Sequence, residues 1–236
     1  MGSAGAAGAR TGCARVGSRP VNLAVVAEGV TRRFGRRWAL RGVDLAVPRG
    51  AVVALLGANG TGKTTLLRVV STLLRPTAGR VQVLGHALPA GEDEIRARAA
   101  FMTAGGHAYE ELTGVENLRF AARMSGKTAS DDDLRGALAA VDLGGAADVP
   151  VRAWSTGMRQ RLELARLRLR PLELVLLDEP FVSLDEDGVG LVHEAVRGWR
   201  EAGAAVVIAS HRVDDATRHA DEVVRLVGGR VAAGTA

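Results

Sequence analysis

Residues 57–64 read Gly57-Ala58-Asn59-Gly60-Thr61-Gly62-Lys63-Thr64, which satisfies G-x-x-x-x-G-K-[ST] at every fixed position. No other feature restricts the fold as much, because such a loop is built where a buried strand feeds the N-terminus of a helix. Residues 51–56 (AVVALL) supply an apolar strand before it, and residues 64–74 (TTLLRVVSTLL) carry apolar residues at helical spacing after it. The glycines let successive backbone N–H groups turn inward on a triphosphate, at a helix end where anions are favoured. Lys63 is placed for the β- and γ-phosphates, and the Thr64 hydroxyl for Mg²⁺. Residue usage agrees: of 31 lysines and arginines, lysine occurs only at 63 and 127. A chain so biased to arginine keeps its compact ammonium where a planar fork would not fit.

Charge narrows the partners. Residues 1–50 hold nine arginines against Glu28 and Asp44, a local net charge of +7, while the rest of the chain nets −2. Basicity therefore belongs to the first segment. No basic groove with interleaved aromatics follows it, so no nucleic acid is expected as a partner. Residues 1–20, mostly Gly, Ala, Ser and Arg, read as a disordered tail, either simply solvated or brushing anionic headgroups. They lack the apolar stretch of a secretory signal, and no segment reaches the ~20 apolar residues of a membrane span. The single Cys13 excludes an internal disulfide framework.

Along residues 21–53, short apolar segments alternate with turns, the pattern of a small antiparallel β layer. Residues 80–84 (RVQVL) form another strand, and a helix is expected to open near Glu92 and run to Ala100. From 110 to 169 the sequence reads as helical, with Thr113 and Glu116 forming a capping box before ENLRFAARM. Strands and helices then alternate to the end. The fold class is α/β: a nucleotide-binding core with a β layer at its start and an inserted helical lobe at about 104–170.

Two further strands end in chemistry. Leu174-Val175-Leu176-Leu177-Asp178-Glu179 closes on adjacent carboxylates; in phosphate-loop enzymes the first holds Mg²⁺ and the second can activate the attacking water. Val206-Val207-Ile208-Ala209-Ser210-His211 ends in a histidine placed to meet the γ-phosphate. Each has a plainer reading, as acids closing the turn before Pro180 and as a structural histidine, and it is their order behind the loop that favours the catalytic one.

Trp154-Ser155-Thr156-Gly157-Met158-Arg159-Gln160-Arg161-Leu162 resembles the signature motif of ABC-transporter ATPases. Phosphate loop, signature, Asp178-Glu179 strand, Ser183-Leu184-Asp185 and histidine strand stand in that family's order, over residues 21–234. The resemblance implies a P-loop NTPase core of ABC ATPase type, spanning residues 21–236. Its implied ligands are ATP and Mg²⁺, with Thr64 and Asp178 at the metal. Gly57, Ala58, Asn59, Gly60, Thr61, Gly62, Lys63, Thr64 and Thr65 would bind phosphates, and Phe34 would stack on adenine; Trp38 is nearby but less well placed, and either could instead be a core residue. Glu179, His211 and Lys63 would be catalytic. Ser155, Thr156 and Gly157 would complete the site of a second subunit, with Asp185 at the dimer interface. The implied partners are a polytopic membrane permease and a second copy of the chain or a homologous ATPase subunit. The implied place is the cytoplasm, peripheral on the inner face of the membrane through that permease.

Departures matter as well. The family has a glutamine before the helical lobe, yet residues 101–109 (FMTAGGHAY) contain none, and the expected position falls near Ala104 or Gly105. His107 could stand in or be a surface residue. Met158 and Trp154 replace the signature's glutamine and leucine. These changes bear on hydrolysis rate and coupling, and they keep open a weakly hydrolysing ATP-gated clamp. A soluble ABC ATPase of translation or DNA repair is the other alternative, disfavoured by the lack of a second such domain; a GTPase lacks its N-K-x-D motif. The local wording most resembles exporter-type ATPases, among them the haem-exporter ATPase of cytochrome c maturation.

Overall fold

The computed structural model describes residues 22–104 and 106–232, so the expected tail over 1–20 lies outside the described residues. Strands β1 (Leu23–Phe34) and β2 (Arg37–Pro48) form an antiparallel hairpin that brings Phe34 opposite Arg37. After β3 (Val52–Leu56), the phosphate loop and α1 (Lys63–Val70), β4 (Ala78–Val83) returns to pair with β1, and β5 (His86–Ala87) completes a sheet ordered β2-β1-β4-β5. Helix α2 (Glu92–Arg98) precedes β6 (Ala99–Thr103), and the helical lobe follows as α3 (Gly114–Met124), α4 (Asp131–Ala139) and α5 (Thr156–Arg168). The chain closes with β7 (Leu174–Asp178), α6 (Glu186–Glu201), β8 (Ala205–Ser210), α7 (Val213–Thr217), β9 (Glu222–Val227) and β10 (Arg230–Val231). With β3 and β6 these later strands build a second sheet, ordered β10-β9-β3-β8-β7-β6, parallel except at β10.

Every residue of β3, β7 and β8 is buried, as strands covered on both faces require. Alternation splits β3 between two cores. Val52, Ala54 and Leu56 face the cluster that holds Leu118, Leu134 and Leu138 of the helical lobe. Val53 and Leu55 face the cluster under the antiparallel layer, with Val25, Leu40 and Val43. Each valine or leucine among them contributes about 1.5–3 kcal/mol on burial. The strand that carries the loop is thus clamped from both sides.

Two expectations are corrected. The helix expected to reach Ala100 ends at Arg98, and Ala99–Thr103 is β6, paired with β7 along its length. A short apolar run reads the same as helix end or strand; the neighbouring strand decides it. The helix expected over 64–74 stops at Val70: the Ser71 hydroxyl donates to the Arg68 carbonyl, and Thr72 turns left-handed at φ 68°. The capping box at Thr113 and Glu116 is present, and Ser130 with Asp133 forms a second at α4.

Candidate nucleotide site

Parallel register sets the site. Leu56 lies opposite Ser210, and Asp178 opposite Ala209, so β3, β7 and β8 end level. The phosphate loop, Asp178-Glu179 and Ser210-His211 therefore meet at one edge, where ligands of open α/β sheets bind.

Within the loop, two glycines are demanded by space. A side-chain carbon at Gly57 would lie 2.5 Å from the Leu226 carbonyl oxygen, and one at Gly62 2.6 Å from that of Ala39. Gly62 also adopts φ 110°, which L side chains rarely reach. Ala58, Asn59 and Gly60 stay exposed at the apex, braced by the Thr61 hydroxyl donating to the Ala58 carbonyl at 2.8 Å. Lys63 is buried in the first turn of α1 beside Thr64 and Thr65; its Nζ donates to the carbonyls of Gly57 (2.6 Å) and Ala58 (3.3 Å). The same Nζ lies 3.4 Å from Glu179 Oε1.

The two carboxylates are held differently. Asp178 is buried against the Thr64 hydroxyl, and its Oδ1 has no hydrogen-bond partner. Burial pushes its carboxyl above the ordinary value, against the Thr64 hydrogen bond, and the charge of Glu179 adds to the rise. An unpartnered buried oxygen beside a hydroxyl is the hard-oxygen pair that Mg²⁺ takes from a protein. Glu179 has left-handed backbone at φ 51°, a conformation costing about 1 kcal/mol outside glycine. Its Oε2 accepts from the Ser210 hydroxyl (3.0 Å) and faces His211 Nδ1 at 2.9 Å. Burial raises this carboxyl, but the hydrogen bonds from His211 and Ser210 and the charge of Lys63 outweigh it and hold it below the ordinary value. It is therefore ionised at neutral pH.

Other expected residues lie outside this cluster. Exposed Ser155 caps α5, its hydroxyl accepting from the Met158 amide at 3.2 Å, with exposed Thr156 beginning the helix. Gly157 abuts the next turn: a side chain there would meet the Ser183 carbonyl at 2.8 Å. Asp185 caps α6 and pairs with Arg161 of α5 at 2.5 Å; the Gly188 amide and then Arg161 hold its carboxyl below the usual range. Signature and Asp185 thus form one bound surface. Phe34, 48 % exposed at the hairpin end, carries the Arg32 guanidinium on its ring at 4.7 Å; Trp38 is similarly covered by Arg33.

Three residues here have roles that the motifs did not announce. Ser210 is a direct partner of Glu179, foreshadowed only by its place beside His211. Gln160, fully buried, donates to the Pro180 carbonyl at 2.9 Å and ties the signature helix to the turn after Glu179. Glu163, also buried, takes the place of an anchor for the loop that lacks glutamine: it accepts from the His107 amide at 2.8 Å and pairs with Arg166 at 2.5 Å. A charged residue inside the apolar run LELA was its only signal. Thr103, opposite Asp178, starts that loop at the site's edge, with exposed Ala104 next.

The family model described as ABC transporter matches residues 40–182. The daunorubicin resistance ATP-binding protein DrrA3 of Streptomyces coeruleorubidus is 39% identical over 223 residues, covering 91% of this chain and 69% of that protein. The cytochrome c biogenesis ATP-binding export protein CcmA of Cupriavidus necator is 40% identical over 190 residues, covering 79% and 82%. Among solved structures, an ATP binding subunit of an ABC transporter superposes with TM-score 0.80 at 29% identity, covering 89% of each chain. A dimeric post-hydrolysis ATP-binding cassette bound to ADP and Pi shares the fold, at TM-score 0.80 and 24% identity over 88% of this chain and 96% of that one. With loop, acids and histidine strand gathered at one sheet edge, this chain belongs to the ABC transporter ATPases, as an ATP-binding and ATP-hydrolysing subunit.

Proposed function

We propose that this chain is half of a two-chain motor that drives a membrane exporter. The observation that carries the reading is the run of contacts Lys63–Glu179–His211 at the level ends of β3, β7 and β8. Lys63 sits between its own loop carbonyls and Glu179. Triphosphate in the loop gives Lys63 a stronger partner, which frees Glu179 from its cation while Ser210 and His211 keep it aimed. Glu179 then accepts a proton from the attacking water. His211 Nδ1 is taken by Glu179, leaving Nε2 for the γ-phosphate. Thr64 and Asp178 would hold Mg²⁺, whose charge neutralises the phosphate oxygens.

Ser155 and Thr156 are exposed, Gly157 beside them is half-buried, and all three are occupied only with their own chain, so in this reading they complete a partner's site. The test mixes two inactive variants, Lys63→Ala and Ser155→Arg. In a mixed dimer one site carries both defects and the other none, so random pairing restores about a quarter of the wild-type rate. No recovery would mean that each chain completes its own site.

A groove of about 870 Å³ between the core and the helical lobe supports the membrane partner. Leu73, Tyr109, Phe120 and Met124, among the exposed large apolar side chains, all line it, and Met124 is 73 % exposed. Such a concentration marks a docking face. No helix among the described residues is long and apolar enough to cross a membrane, so in this reading transport is done by the docked permease. Phe120→Asp with Met124→Asp should leave ATP affinity unchanged while losing capture of a polytopic permease from solubilised membranes. Undiminished capture would place the permease on another face.

A further inference from the structure

We infer that Arg37 is a further phosphate-binding residue, a second cation that grips the triphosphate from the open side of the loop. The inference rests on the nucleotide reading above but on different observations. Three neighbouring arginines are occupied: Arg32 lies on Phe34 and donates to the Arg75 carbonyl at 2.9 Å, Arg33 lies on Trp38, and Arg49 pairs with Glu173 at 2.6 Å. The Arg37 side chain has no hydrogen bond, ion pair or ring contact among the described residues. Yet its guanidinium stands over the loop apex, where a side-chain carbon at Gly60 would lie 3.7 Å from Nη2.

The position is fixed by backbone. Arg37 faces Phe34 across the hairpin end, and two residues on, the Ala39 carbonyl packs on Gly62. No acidic side chain occurs between Gly57 and Thr65 to claim the charge. A planar fork beside exposed amides fits phosphate oxygens by two parallel hydrogen bonds. Phe34 and Arg37 would then hold base and phosphates from one rigid strand pair, while buried Lys63 works from beneath.

The test is calorimetric titration of the full chain with MgATP at low and at high salt, for wild type, Lys63→Ala, Arg37→Ala and Arg37→Lys. Arg37→Ala should weaken ATP binding about tenfold at low salt, the size of one charge-assisted hydrogen bond. The deficit should shrink toward about twofold at roughly half-molar salt, where exposed charges are screened. Arg37→Lys should fall between. Unchanged affinity, or a loss equal at both salt concentrations, would overturn the inference; the second result would make Arg37 a prop for the hairpin. Melting curves identify any variant that is merely unfolded, and Arg37→Gln, which keeps the stem without the charge, replaces Arg37→Ala if needed. If Lys63→Ala also binds as wild type does, the phosphate-loop reading itself fails, a result distinct from failure at Arg37 alone.

Discussion

Replacing Lys63 by alanine is expected to abolish tight ATP binding, weakening it by at least about a hundredfold. The side chain is buried, and no other lysine occurs before residue 127. Its ammonium is held in place by two loop carbonyls and Glu179. Removal strips the loop of its internal cation and leaves Glu179 facing phosphate with nothing between them. An arginine is no equivalent, because a planar guanidinium cannot reproduce a compact ammonium's contacts to the Gly57 and Ala58 carbonyls. Calorimetric titration with MgATP checks this; retained affinity would refute the assignment of the loop.

Glu179→Gln should have the opposite signature, with ATP bound and turnover lost by about 10²–10⁴-fold. The amide keeps the shape of the carboxylate, and its oxygen can still accept from Ser210 and His211. What it cannot do is accept water's proton. There is a second effect. Position Oε1 lies 3.4 Å from Lys63 Nζ, and an amide NH₂ there would meet the ammonium donor to donor. Phosphate engaging Lys63 would relieve that conflict, so the substitution should favour the ATP-bound state. Gel filtration with MgATP should show a persistent dimer that wild type loses on hydrolysis. Normal turnover would mean that another residue activates water.

Much of this site could be read from the sequence because its parts are short and contiguous. Gly57–Thr64 carries its own geometry, and Asp178-Glu179 and Ser210-His211 end strands that are apolar throughout. Residues whose roles depend on distant partners were not legible. Ala99–Thr103 becomes a strand only because β7 offers it a ladder. Glu163 is an ordinary helix acid until folding carries the His107 amide to it across 56 positions. Arg37 is one of many arginines in its segment until the hairpin sets it over Gly60. Local chemistry shows in the letters; long-range pairing shows only in the fold.

The Ala39 carbonyl has a consequence for protein engineering. A side chain at Gly62 would meet it at 2.6 Å, and one at Gly229 at 2.7 Å, so a single oxygen spaces the loop and the β9–β10 turn together. The Gly229 amide in turn donates to the Thr61 carbonyl at 3.0 Å. Parts that touch through backbone cannot be exchanged one at a time. A chimaera that takes its hairpin from one relative and its loop from another would need to import the β9–β10 corner as well, and a recombination library cut between them should be enriched for failures that no choice of side chain repairs.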